Sequence, residues 1–144
     1  MEENELMGKI TQIKKDLTPD LKNLIIKDPK SPATLIPKIN FGGTSIYNKN
    51  KNSIEYTFAL PQFEGTDSEF ESFYYRLQLI IESVFADKYI MMTGEETDDQ
   101  ESVHYYDKTA KYTYQSPTHI SLYFNSGDKT NVLLVVAGKI PGKN

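Results

Sequence analysis

The sequence predicts an α+β fold, in which an antiparallel meander sheet packs on one long amphipathic helix and an N-terminal helical segment comes first. Three patterns support this prediction. Apolar residues recur at helical spacing over 67–86, they alternate with polar residues over 53–60, and turn-forming sequences separate short apolar runs throughout the C-terminal half. With 144 residues, the chain has the length of a single domain.

Residues 1–27 are predicted to form the N-terminal helical segment. Its apolar residues at helical spacing are Leu6, Ile10, Ile13 and Leu17. Thr18 and Pro19 suit the start of a second short helix, because proline is favoured in the first helical turn. Three further prolines prevent that helix from continuing, so residues 28–38 are predicted to be a linker or an extended edge segment.

Residues 39–144 are predicted to form the sheet-and-helix unit. Its first two strands, 39–47 and 53–60, are joined by a loop with three asparagines, which tolerate the positive φ angles of hairpin turns. The long helix that follows begins with a capping box, in which Thr66 is the N-cap and Glu69 lies three residues later. The residues expected to face the core are Phe70, Phe73, Tyr74, Leu77, Ile80, Ile81, Val84 and Phe85.

The C-terminal half is predicted to contain one strand, at 88–93, and two hairpins. The first hairpin pairs residues 103–106 with 111–115 around a short turn. Four residues of this hairpin are then expected to share one face of the sheet in cross-strand pairs: Val103, Tyr105, Tyr112 and Tyr114.

The second hairpin pairs residues 119–124 with 131–137. The cross-strand pairs expected on its core face are Ile120 with Val135 and Leu122 with Leu133. Because the last strand is apolar on both faces, we expect it to be central in the sheet or covered by the N-terminal helix.

Composition excludes several classes of protein. The absence of cysteine rules out disulfides, iron–sulfur clusters, thiolate zinc sites and a cysteine nucleophile. The net charge of −4 argues against general nucleic-acid binding, and no apolar run approaches the ~18 residues that a membrane span requires. Since neither a nucleophile elbow nor a phosphate-binding glycine motif occurs, the sequence predicts a protein that is not an enzyme and has no cofactor.

The first five residues are acidic and lack the basic and apolar regions of a signal peptide. A cytoplasmic location is therefore expected if Met1 is the native start. A periplasmic or secreted location is expected if a signal peptide has been removed.

Negative charge is concentrated in the middle of the chain. Residues 53–107 carry a net charge of −11, between ends of +3 and +4. The partner-binding candidates lie in the stretch 94–101 and are Glu95, Glu96, Asp98, Asp99 and Glu101. Their spacing does not fit the twelve-residue calcium loop, so no metal site is predicted. A solvated loop is the favoured interpretation, and a docking patch for a basic protein partner is the functional alternative.

A second candidate surface consists of tyrosines. The ligand-binding candidates are Tyr105, Tyr112, Tyr114 and Tyr123. If the long helix covers the whole sheet face, the first three are core residues; if it covers only part of that face, one or two of them line a concave apolar surface for a ligand or peptide. Tyr123 points away from its neighbour Leu122 and is a separate exposed candidate.

The two histidines, His104 and His119, lie on nearby strands of the predicted meander. Two imidazoles together with a carboxylate could bind zinc, but isolated half-buried or surface residues are the favoured interpretation.

These observations favour a non-catalytic binding or protein-interaction module. In its specific form, the module is an inhibitor or immunity-type protein that neutralises a basic partner through the acidic segment. The alternative is a small-ligand carrier or an enzyme, with an apolar pocket between helix and sheet that tyrosines line.

Overall fold

Helices and strands occupy separate runs of the chain, as is typical of an α+β protein, because each of the two helices precedes four strands among the residues that the structure describes. The computed structural model describes residues 3–58, 67–127 and 130–139. The helices are α1 (Glu3–Asp16) and α2 (Asp67–Phe85), and short 3₁₀ turns cover Lys22–Leu24 and Thr113–Gln115. The strands are β1 (Ile25–Asp28), β2 (Ser31–Pro37), β3 (Thr44–Asn48), β4 (Ser53–Phe58), β5 (Tyr89–Thr93), β6 (Gln100–Asp107), β7 (His119–Asn125) and β8 (Asn131–Ala137).

The main sheet has six antiparallel strands in the order β3-β4-β8-β7-β6-β5, and β1 and β2 form a separate two-stranded sheet. The predicted α+β class with an antiparallel sheet is therefore confirmed. The strand order departs from a simple meander, because β8 lies between β4 and β7. This central position suits a strand that is apolar on both faces, since both of its edges are paired and its outer-face residues Leu133 and Val135 are half-buried between the neighbouring strands.

Helix α2 packs across one face of the sheet, which we call the inner face. The ring centroids of Phe73 on α2 and Phe58 on β4 are 4.9 Å apart, and those of Tyr74 and Phe124 on β7 are 5.8 Å apart. The α2 residues that are fully or almost fully buried are Phe70, Phe73, Tyr74, Leu77, Ile80, Ile81 and Phe85. The helix predicted over 67–86 is thus observed over Asp67–Phe85, and the eighth residue expected to face the core, Val84, is only half-buried.

The core is not built on one helix alone. Helix α1 packs on α2, and its residues Leu6, Ile10 and Ile13 are buried in the same apolar cluster as the inner face of the sheet. A salt bridge of 2.6 Å between Lys14 and Asp87 links α1 to the end of α2. Both helices therefore contribute buried side chains to one core.

The N-terminal segment differs from its prediction after residue 17. The second short helix predicted from Pro19 is wrong, because the chain makes one 3₁₀ turn and then enters β1. Leu21 has a φ of 59°, which breaks helical geometry, and two β-branched isoleucines follow. Residues 28–38 are largely extended, but β2 pairs with β1 instead of serving as a linker.

The predicted strand 39–47 is shorter than expected. It begins at Thr44, because Gly42 adopts a φ of 90° and the chain turns there. Phe41, just before this turn, packs on Tyr56 with ring centroids 5.0 Å apart. Residues 39–43, which were expected to be strand, therefore form a loop that places the Phe41 ring in the core.

The first C-terminal hairpin is also wrong in its pairing. Strand β6 pairs with β7, so Tyr105 faces Ile120 and Val103 faces Leu122. The β6 strand ends at Asp107, whose carboxylate accepts hydrogen bonds from the backbone and hydroxyl of Thr109 at 2.9 and 2.7 Å. This turn leads residues 111–115 away from the sheet.

The β7–β8 hairpin is observed one residue out of its predicted register. Ile120 faces Val136 and Leu122 faces Leu134. Because a shift of one residue exchanges the two faces of a strand, Leu133 and Val135 lie on the outer face, opposite α2. The capping box at Thr66 and the turn residues 128–129 lie outside the described residues.

Three separate parts of the chain meet at Asn52, which follows the β3–β4 turn and is 3% exposed. Its side-chain amide donates to the backbone oxygens of Pro19 and Lys139 at 2.9 and 2.8 Å. Gly138 lies so close that a Cβ atom there would be 2.2 Å from the Pro19 oxygen. Asn52 therefore joins the N-terminal turn, the β3–β4 turn and the end of β8.

Neither of the helices that the structure describes is both long and apolar enough to span a membrane.

We predict that α2 dominates the stability of the fold. Leu77 is fully buried, so Leu77→Ala should lower the free energy of unfolding by about 2–5 kcal/mol. Leu79, two residues later, is 67% exposed, so Leu79→Ala should change the free energy of unfolding by less than about 0.5 kcal/mol. Denaturant unfolding of the two variants checks this, and equal losses would contradict the observed orientation of the helix.

Candidate protein-docking site

The acidic loop, residues 94–99, connects β5 to β6. It is shorter than the predicted loop, because Gln100 and Glu101 belong to β6. Backbone hydrogen bonds fix its course: Gly94 donates to the oxygen of Ser102 at 2.9 Å, and Thr97 donates to that of Gln100 at 2.8 Å. The oxygen of Asp99 accepts a hydrogen bond of 2.8 Å from the amide of Ser126. The loop is thus anchored at both ends.

Four of the predicted partner-binding residues lie on this loop, and all four are exposed: Glu95, Glu96, Asp98 and Asp99. Among the residues that the structure describes, no group of three or more metal-ligating side chains converges. The carboxylates therefore act as separate surface charges. Residues 82–101 carry a net charge of −6, so this end of the molecule attracts cations over several ångströms.

The fifth predicted residue, Glu101, differs from the other four. It is half-buried on β6, and its two carboxylate oxygens accept hydrogen bonds from the hydroxyl of Tyr75 at 3.1 and 3.0 Å. Burial and the bonded Glu101 carboxylate raise the pKa of Tyr75. Glu101 therefore ties α2 to the strand beside the acidic loop, and the four loop carboxylates are the exposed members of the set.

Strand β5, which leads into the acidic loop, exposes three consecutive apolar residues. Ile90, Met91 and Met92 are 50%, 45% and 46% exposed. Within the described residues β5 pairs with β6 alone, so its other edge is a border of the sheet. Sequence analysis located this strand but missed its exposure, since an apolar run of this length equally suits a buried strand.

The four candidate tyrosines do not form one surface. Tyr105 is 2% exposed and belongs to the core, where its hydroxyl lies 3.5 Å from the backbone oxygen of Gln78. Tyr112 and Tyr114 lie in the β6–β7 connection and are 47% and 79% exposed. Their rings stack on each other with centroids 5.4 Å apart. The predicted sharing of one face by these three tyrosines is therefore wrong.

Tyr123 lies on the outer face of the sheet, which also carries both histidines. Its ring centroid is 5.6 Å from that of His104, and the ring of Tyr106 stacks between His104 and His119 at 6.2 and 5.6 Å. The Nδ1 atom of His104 is 2.7 Å from the Ser121 hydroxyl. Burial lowers the pKa of both imidazoles, and the neighbouring His104 lowers that of His119 further.

A shallow groove of about 290 Å³ runs beside the first half of α2. It is lined by Ser68, Glu69, Ser72, Phe73 and Arg76, all of which belong to α2. None of the candidate tyrosines contributes to it. It is therefore not the tyrosine-lined pocket between helix and sheet that the ligand hypothesis requires.

Comparisons of the chain with protein-family models, with curated proteins and with solved structures return no match.

We predict that the two histidines make the stability depend on pH. Their folded-state pKa values lie below the ordinary value of 6.5, so the folded state binds fewer protons than the unfolded state in that range. Their contribution is complete above pH 6.5 and is lost as the pH falls through the folded-state values. The free energy of unfolding should therefore decrease between about pH 7.5 and about pH 5.5.

The double variant His104→Gln, His119→Gln isolates this contribution in denaturant unfolding at both pH values. Its decrease over the same range should be smaller, because carboxylates titrate mainly below about pH 5. An equally steep decrease in the double variant would show that the histidines are not responsible.

Proposed function

We propose that this protein is a non-catalytic interaction module that binds a basic protein partner through the acidic loop. The observation that carries the proposal is the exposure of Glu95, Glu96, Asp98 and Asp99 on a loop anchored at both ends. A fixed loop presents its charges in one arrangement, so a partner loses little conformational freedom by binding to it.

The physical effect of such a cluster is mainly on the rate of association. A single exposed carboxylate gains little from one contact, because water and salt screen it. Several carboxylates together produce a field that extends beyond contact distance and guides a basic partner to this end of the molecule. Residues 82–101 hold seven acidic residues and one lysine, so the negative field is strongest around this segment.

In its specific form, the partner is a protein whose basic surface this module covers, as an inhibitor or immunity-type protein would. Ten tyrosines and the absence of tryptophan fit this role, because tyrosine serves adaptable protein contacts. The stacked pair Tyr112 and Tyr114 is exposed and is available to such contacts.

The small-ligand alternative has less support. It rests on a pocket near Tyr105 and Tyr112, but Tyr105 is packed in the core against α2 and Tyr112 lies on the surface. A carrier would hold its ligand among convergent polar groups in an apolar cavity, and these two side chains do not converge on one.

Neutralising the loop tests the proposal. Glu95→Gln, Glu96→Gln, Asp98→Asn and Asp99→Asn are combined in one variant, and a native-host lysate supplies the partner by affinity capture. Folding should be unchanged, because all four side chains are exposed. Association with the purified partner should slow roughly tenfold or more at low ionic strength, and the difference should shrink at high salt.

The matched control removes four carboxylates elsewhere: Glu3→Gln, Glu5→Gln, Asp20→Asn and Asp28→Asn. It has the same net charge as the loop variant, and its association rate should be closer to that of the wild type. Equal slowing of both variants would mean that net charge acts without a local docking surface. An unchanged rate in the loop variant at low salt would refute the proposal.

A further inference from the structure

We propose that the outer edge of β5 binds an extended, lysine- or arginine-rich segment of the partner as an additional antiparallel or parallel strand. This inference rests on the proposed function, since the edge and the acidic loop are continuous. It adds the binding mode and the chemistry of the bound segment: alternating basic and apolar residues in strand conformation.

The backbone pattern shows which groups of β5 face outward. Gly94 donates to the oxygen of Ser102, and Lys108 donates to the oxygen of Lys88, so both ends of the β5–β6 ladder are hydrogen-bonded pairs. Because such pairs alternate along an antiparallel ladder, Ile90 and Met92 direct their N–H and C=O groups toward β6. The corresponding groups of Tyr89, Met91 and Thr93 point to the outer edge.

The side chains of β5 suit an added strand. Ile90 and Met92 are half exposed on the outer face of the sheet, and Met91 is half exposed on the inner face, where its sulfur lies 3.7 Å from the amide of Gln78. An added strand would place its own apolar side chains next to these three. Methionine adapts its shape to different neighbours, which suits a binding surface.

The edge also lacks the features that prevent strand addition. Natural edge strands are commonly protected by lysine, proline or a β-bulge. Here Lys88 precedes the strand, with its Nζ atom 5.7 Å from the centre of the Tyr89 ring, and Tyr89–Thr93 itself contains no charged residue or proline and keeps an unbroken register with β6. The opposite edge of the sheet differs, because β2 packs beside β3 there. The unprotected edge is thus the one that adjoins the acidic loop.

Charge decides between a foreign segment and a second copy of this chain. Two copies paired through β5 would bring together two surfaces with a net charge of −6 each over residues 82–101. Like charges opposed in this way weaken association. A basic segment gains from the same charges, so it is the favoured occupant.

The test uses a blocked heptapeptide that alternates lysine with valine, and a control peptide with glutamate in place of each lysine. Amide hydrogen exchange of the wild-type protein is measured residue by residue with each peptide. The lysine peptide should slow exchange at Tyr89, Met91 and Thr93 at least tenfold, an effect of ~1.4 kcal/mol per amide. Ile90 and Met92, already bonded to β6, should change little, and the glutamate peptide should have no effect.

Two proline variants make a matched pair. Met91→Pro removes an outward N–H that the sheet does not use, so it should keep the fold and weaken binding of the lysine peptide roughly tenfold. Met92→Pro removes an N–H directed at β6 and should lower the melting temperature. Should Met91→Pro also unfold, the exchange pattern of the wild type still decides the question.

Several results would overturn strand addition. The first is that the lysine peptide does not bind at concentrations up to about 1 mM. The second is that it binds but does not protect the three outward amides from exchange. The third is that sedimentation shows the protein dimerising by itself, and that this dimerisation causes the protection. The test of the proposed function is independent of the test of the added strand. If loop neutralisation slows association with the captured partner while Met91→Pro does not, the acidic docking surface stands and the added strand is wrong.

Discussion

The packing of α2 across the inner face of the sheet is the interaction on which the other features depend. An antiparallel sheet with one apolar face is stable only when that face is covered, and α2 supplies seven buried side chains for this purpose. The helix ends with Phe85, whose ring contacts Tyr89 at 5.2 Å between centroids. A short turn leads from Phe85 into β5, and the acidic loop follows that strand directly. The core contact and the proposed docking surface are thus adjacent in the chain.

Strand β8 lies in the middle of the sheet and connects its two parts. Its pairing with β4 joins the early hairpin to the three later strands, and Asn52 then binds the end of β8 to the N-terminal turn. With β8 in the middle, the borders of the sheet fall to β3 and β5. Since β2 packs beside β3, the fold leaves β5 as its more accessible border, and the strongest negative charge lies next to it.

Local patterns predicted local structure well. The spacing of Phe73 and Leu77 located α2 and its buried face, because a helix buries residues three and four apart. The exposure of the four loop carboxylates was also predictable, since such a charge run is rarely buried. The β7–β8 register was not predictable, because Leu133 and Leu134 are equally apolar and the sequence pattern does not show which of them faces the core.

What escaped prediction depends on contacts between distant residues. Tyr112 and Tyr114 have strand-forming side chains, yet Asp107 and Thr109 turn the chain away and β7 takes the place beside β6. The insertion of β8 next to β4 joins residues about eighty positions apart, which no local pattern records. The edge position of Met91 follows from that strand order. This part of the candidate site therefore became visible only in the folded structure.

We propose that partner contacts are concentrated on β5 and the acidic loop. Backbone amide chemical shifts of the isotope-labelled protein, recorded during titration with the captured partner, test it most directly. We predict that the largest changes fall within residues 89–101, with smaller changes at the stacked Tyr112 and Tyr114. Changes centred on the outer face around His119 and Tyr123, with residues 89–101 unaffected, would contradict the account.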